Sequence, residues 1–107
     1  MGYVRTITYT FPYEKIEHFN NGTELYMRLV AAHKLLCQDS GGLIDTGVWI
    51  TQQRDGILKV VSYTEWYSLE DLNSFAQNSD VTHHENVITK ASLPTVPPSV
   101  DIYEVIG

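Results

Sequence analysis

Cysteine is nearly absent from this chain of 107 residues: Cys37 stands alone, beside Leu35 and Leu36. An intrachain disulfide is thereby excluded, and the setting marks a small buried hydrophobe more than a nucleophile. Positive charge is scarce too. Seven Lys and Arg against thirteen Asp and Glu leave a net charge of −6, with no basic stripe for phosphate backbones or anionic lipid, so neither nucleic acid nor membrane is an expected partner. Long apolar runs are missing as well, since no segment approaches the roughly 20 residues that span a bilayer. The opening MGYVRTITYTF alternates polar and apolar residues where a signal peptide would show a basic segment and an apolar run. The expected location is therefore cytoplasmic. No internal repeat or low-complexity segment is evident.

What is present is a hydrophobic content of 43%, enough for one real core. Residues 1–107 read as a single domain, small enough that burying surface against a second copy would help it noticeably, so a homodimer is expected. Residues 3–11 alternate as a strand, with Tyr3, Arg5, Ile7, Tyr9 and Phe11 on one side and Val4, Thr6, Thr8 and Thr10 on the other. Pro12 ends it, a helical turn is expected over 13–19, and Asn20-Asn21-Gly22 is a breaker. Leu25, Leu29, Ala32 and Leu36 then share one face of a helix over 24–39, capped by Thr23 and stopped by Ser40-Gly41-Gly42. Segments 43–53 and 57–67, rich in Val, Ile, Thr and aromatics, are joined by Arg54-Asp55-Gly56 and should pair antiparallel. Leu93–Pro98 is a proline-bearing connector, and 100–106 forms the last strand.

The densest information lies in 64–85. Trp66 ends a strand, Ser68 caps a helix whose Glu70 and Asp71 favour its positive end, and Leu69, Leu72, Phe75 and Ala76 form its apolar stripe. Asn78-Ser79-Asp80 breaks this helix and caps another, on which Val81, His84, Ile88 and Ala91 recur on one side. His83 lies about 100° from His84 around that helix. The order strand, helix, strand, strand, helix pair, strand is the split β-α-β arrangement of ferredoxin-like α+β domains, a four-stranded antiparallel sheet with helices on one face. Yet Leu58, Val60 and Trp66 alternate with Ile57, Val61, Tyr63 and Tyr67, so the strand is apolar on both sides. A sheet with one wet face should be polar there, and a second copy covering it is the simplest account.

On these residues the chain resembles the antibiotic-biosynthesis-monooxygenase-like domains of the dimeric α/β-barrel superfamily, in which two ferredoxin-like subunits pack sheet to sheet. The element order matches over nearly the whole chain, and the residue-level match is concentrated in Tyr63–Glu85. The resemblance implies a pocket between helices and sheet, in which some members oxidise aromatic polyketides with O2 and no metal or flavin, while others bind and degrade haem. Haem-degrading members carry an asparagine on the first strand and a tryptophan in the helix after the third. Here no asparagine lies between Val4 and Phe11, Phe75 stands in the tryptophan's place, and only His83 and His84 answer to the iron-ligating histidine. Haem degradation is disfavoured. Anthrone-oxidising members place an asparagine four residues before the strand-end tryptophan and a tyrosine six after it; here Ser62 and Leu72 occupy those positions around Trp66.

The residues themselves nominate His84 as the catalytic group, because an imidazole titrates near neutrality and can take a proton from a phenol or an activated methylene. Trp66, Phe75 and Trp49 are candidates to shape an aromatic cavity, with Ser62 or Tyr9 holding a substrate oxygen. Arg5, on an apolar strand face, needs a carboxylate partner or an anionic ligand. His83, His84 and Glu85 diverge by about 100° each and cannot close on one ion, while distant His18 and His33 show no spacing that would help them, so no metal is expected. The reading is a cofactor-independent monooxygenase of a small aromatic or polyketide-like molecule. The alternatives are a non-catalytic ligand-binding or structural dimer, and a haem binder without turnover that uses His84 as ligand.

Overall fold

The computed structural model describes residues 2–12, 41–50, 56–91 and 96–106. The helices expected over 13–19 and 24–39, Cys37, His18, His33, Arg54 and Asp55 of the hairpin link and residues 93–95 of the Leu93–Pro98 connector lie outside the described residues. Four strands, β1 (Tyr3–Pro12), β2 (Leu43–Ile50), β3 (Ile57–Trp66) and β4 (Ser99–Glu104), and two helices, α1 (Leu69–Ala76) and α2 (Ser79–Ala91), make up the described chain. The strands form one sheet in the order β2-β3-β1-β4. Both β1 and β2 pair antiparallel with β3, so they run the same way on either side of it, and β4 pairs antiparallel with the far edge of β1. This is the split β-α-β order that the sequence pattern predicts. No described helix is long and apolar enough to cross a membrane.

Alternation in β1 and β3 sorts their side chains as expected. Ile7, Tyr9 and Phe11 of β1 and Val60 and Trp66 of β3 are buried in the two hydrophobic clusters that α1 and α2 cover. One cluster joins Trp66 to Leu72 and Phe75 of α1 and Val81 of α2, with Tyr3 and Leu43 at its margin; the other joins Ile7, Tyr9, Phe11 and Val60 to Ile88 of α2.

Strand β2 departs from simple alternation. Leu43 is opposite Trp66 but Asp45 is opposite Glu65, a bulge that advances β2 by one extra residue. Strict alternation would place Leu43, Asp45, Gly47 and Trp49 on one face. The bulge leaves Leu43 with the helices and turns the other three to the opposite face.

Local chemistry sets the helix ends. Ser68 Oγ accepts from the Asp71 amide at 3.1 Å and donates to Asp71 Oδ2 at 2.9 Å, which starts α1. Gly42 turns the chain into β2 at φ 81°, and a Cβ there would collide with the Asp71 carboxylate, so only glycine lets the cap and the turn coexist. The Asn78 side chain accepts from the Asp80 amide at 2.8 Å and opens α2. Of the stripe read on α1, Leu72 and Phe75 are buried, whereas Leu69 is 42% exposed because it occupies the first turn, at the rim of the layer.

Leu72 is 0% exposed, so Leu72→Ala should lower the unfolding free energy by about 2–5 kcal/mol. Loss of the cap in Ser68→Ala should cost about 1 kcal/mol. Urea unfolding reads both as midpoint shifts at constant slope.

Candidate functional site

Between the two hydrophobic clusters runs a polar layer. On the helix side of the sheet, Thr46, Thr64 and Arg5 stand in register across β2, β3 and β1. Tyr3, Trp66 and Leu43 lie on one side of this row, and Ile7, Ser62 and Val48 on the other. From above, α2 contributes His84 and Glu85, set between buried Val81 and Ile88 by helical spacing.

The layer is organised by an ion pair. Arg5 Nη1 and Nη2 donate to Glu85 Oε2 and Oε1 at 2.7 and 3.1 Å, and the two side chains are 10% and 18% exposed. A fork-to-fork pair of this kind satisfies both groups and ties β1 to α2 over a separation of 80 residues. Arg5 therefore has the carboxylate partner that its strand position demanded, and its two terminal nitrogens are committed to Glu85 rather than to an anionic ligand. Glu85 is the residue that pattern reading passed over, although it lies four residues after Val81 and three before Ile88, a spacing as suited to the inner face as that of His84.

Next to the pair, His84 is half-buried while His83 is exposed. Burial holds the His84 imidazole below its usual value, with His83 acting in the same direction and the Glu85 carboxylate opposing them. The group is accordingly a neutral base near pH 7. Tyr9, 1% exposed, has its phenol pushed well above the ordinary range by burial and then by Glu85, against a smaller opposing effect of Arg5. It stays protonated and can act only as a neutral hydroxyl.

Ser62 and Trp66 share the helix face of β3, opposite Ile7 and Tyr3. Trp66 is 0% exposed and meets Phe75 at 5.0 Å between ring centroids, tilted by 39°. The structure thus brings His84, Arg5, Tyr9, Ser62, Trp66 and Phe75 to one side of the sheet. Trp49 does not join them. The β2 bulge puts it on the opposite face, 57% exposed, where it stacks on Tyr63 at 4.4 Å. Gly47 makes room for this stack, since a Cβ there would lie 2.7 Å from the Tyr63 ring. The expected pairing of Trp49 with Trp66 in a single aromatic pocket is corrected accordingly. Trp49 instead borders an open concavity of about 450 Å³ with Val4, Thr6, Thr8, Val61, Asp101 and Tyr103.

His83, His84 and Glu85 do not converge: one faces solvent, one is half-buried and one holds Arg5. No group of three His, Cys, Asp or Glu side chains among the described residues is arranged to hold a metal ion.

No protein-family profile matches the chain, and no curated protein matches it in sequence. Solved structures do match. A provisionally assigned antibiotic biosynthesis monooxygenase from Nitrosomonas europaea superposes with a TM-score of 0.69 at 13% identity, covering 98% of this chain and 90% of its own. Another so assigned from Bacillus cereus gives 0.66 at 18% identity, over 99% and 94% of the two chains. A dimeric protein of unknown function with a ferredoxin-like fold from Bacteroides fragilis gives 0.66 at 13% identity, over 96% of each. At such identities the likeness is one of architecture, and it agrees with the strand order and the one-sided helices: the chain is an α+β domain with the ferredoxin-like fold of antibiotic biosynthesis monooxygenase-like proteins.

Proposed function

We propose that the protein is a homodimer that binds a small aromatic or polyketide-like molecule on the helix side of its sheet and oxidises it with O2 as a cofactor-independent monooxygenase. The observation that carries this reading is a half-buried, neutral His84 beside a satisfied Arg5–Glu85 pair, at the boundary of two apolar clusters. A base so placed takes a proton from an activated methylene flanked by aromatic rings and leaves a carbanion. The carbanion passes one electron to O2, and recombination forms a C–O bond and, with a proton returned, a hydroperoxide. Loss of water then breaks the O–O bond. The methylene becomes a carbonyl and the second oxygen leaves as H2O, so R2CH2 and O2 give R2CO and H2O. Ser62 or the neutral Tyr9 phenol would hold a substrate oxygen, and Trp66 and Phe75 would wall the site.

The dimer draws support from the opposite face, where Trp49 and Tyr103 are 57% and 54% exposed around the concavity. Clustered apolar surface of that kind marks contact sites, and the fold neighbour from Bacteroides fragilis is described as dimeric. A second reading, a ligand-binding dimer without turnover, is favoured by one observation: Trp66 and Phe75 pack on each other, both at 6% exposure or less.

Light scattering at micromolar concentration should give twice the chain mass, and a stable folded monomer would contradict the dimer. Oxygen uptake with a panel of anthrones, naphthols and quinols, on metal-free protein, should fall about 10²–10⁴-fold in His84→Ala. No uptake across the panel would transfer the weight to the ligand-binding reading.

Acid should act on His84 in two ways. Because its folded-state value lies below the usual 6.5, kcat/KM should hold at neutral pH and fall along a limb centred below 6.5. The unfolded chain takes up that proton more readily than the folded one, so stability is fully present above 6.5 and declines as pH falls from there. Acidification through this window should therefore destabilise the wild type more than His84→Ala, as thermal unfolding from pH 7.5 to 5 would show.

A further inference from the structure

The face of the sheet turned away from α1 and α2 carries a built aromatic wall. Trp49 stacks on Tyr63 at 4.4 Å with the rings 27° apart, and the Tyr63 hydroxyl donates to Asp45 Oδ2 at 3.2 Å. Gly47, paired with Tyr63 across the strands, leaves the space that the phenol ring fills, because a Cβ there would lie 2.7 Å from it. Glycine weakens a strand interior and marks a close approach. A strand position without a side chain and a carboxylate tied to a phenol thus hold an indole in one orientation although it is 57% exposed. Packing of the two hydrophobic clusters on the other face uses none of these residues.

In front of the wall lies the concavity of about 450 Å³, within the roughly 300–1,000 Å³ of small-molecule sites. Val4, Val61, Thr6 and Thr8 make its floor, and Tyr103, 54% exposed, stands at the far side. Trp49 belongs to β2 and Tyr103 to β4, the two outer strands, so the floor runs across three strand spacings, about 14 Å. Asp101 of β4, opposite Thr6, supplies the charge, and its Oδ2 accepts a long bond of 3.4 Å from Ser99 Oγ. No described Lys or Arg lines the concavity. Over the described residues of the whole face, Asp45, Glu65 and Asp101 stand against one cation, Lys59. An anionic ligand is repelled there, whereas a cation gains from the carboxylate and from the ring faces of Trp49 and Tyr103.

We infer that this concavity is a second binding site, specific for an organic cation with an elongated apolar body. The ammonium group lies beside Asp101 and Tyr103, and the body is laid over the threonine and valine floor toward Trp49. The site is on the other side of the sheet from His84 and does not depend on oxygen chemistry there. Where two copies meet on this face, concave surfaces touch at their rims, so the hollows remain as one chamber between the copies.

Calorimetric titration with 6-phenylhexylamine, 6-phenylhexanol and 6-phenylhexanoate, which share a body and differ in the charge of the head, tests this on wild type, Asp101→Asn, Trp49→Ala and His84→Ala. Thermal unfolding checks that each variant is folded. The wild type should bind the amine about fivefold or more tightly than the alcohol, and the carboxylate more weakly than either. Asp101→Asn should reduce the preference for the amine several-fold, Trp49→Ala should weaken amine and alcohol alike, and His84→Ala should change neither. Equal binding of amine and alcohol by wild type overturns the inference. So does a preference undiminished in Asp101→Asn, or one lost in His84→Ala, which would put the amine among the helix-side groups. Binding of none of the three overturns it as well, and a dimer by light scattering then assigns the hollow to the second copy itself.

Discussion

The Arg5–Glu85 pair is the interaction on which the arrangement of the site depends. A guanidinium on the covered face of a sheet is costly unless a carboxylate meets it with good geometry, and removing one partner from such a pair leaves an uncompensated buried charge. The two bonds of 2.7 and 3.1 Å provide that geometry, and they are possible only when α2 lies over β1 in one rotation and one position along its axis. The apolar residues of α2 on either side, Val81 and Ile88, would tolerate small slides between the two clusters. A bidentate charge pair is far less permissive. By holding Glu85 it also holds His84, the next residue, at the half-buried boundary where its imidazole loses hydration.

The same pair divides the core. Leu72, Phe75, Val81 and Trp66 pack on one side, and Ile7, Tyr9, Phe11, Val60 and Ile88 on the other, with Thr46, Thr64 and Arg5 as the row between. A small domain that gives up continuous apolar packing for a polar row sacrifices stability, and such departures cluster where a protein binds or reacts. The opposite face of the sheet carries a different chemistry. Its exposed Trp49 and Tyr103 and its broad concavity suit a large flat contact, whereas the helix face offers enclosed groups of defined protonation.

Much of this was legible in the residues. Period-two alternation places Ile7, Tyr9 and Phe11 under the helices, and period 3.6 places Leu72, Phe75, Val81 and Ile88 over them, because both patterns follow from backbone geometry alone. Ser68 and Asn78 mark the helix starts through hydrogen bonds made within three residues of themselves, and the strand order follows from the split β-α-β sequence of elements. The position of His84 on the inner side of α2 belongs to the same class of local inference.

Contacts between residues distant in sequence were decided elsewhere. One extra residue between Leu43 and Asp45 reverses every later side chain of β2 and so separates Trp49 from Trp66, and nothing in the composition of that strand announces the bulge. Glu85 was chosen over twelve other acids as the partner of Arg5 only by the docking of α2. Local periodicity therefore determined which residues face inward, while the tertiary structure decided which of them meet, since pairing across 80 residues depends on three-dimensional register that no local pattern encodes.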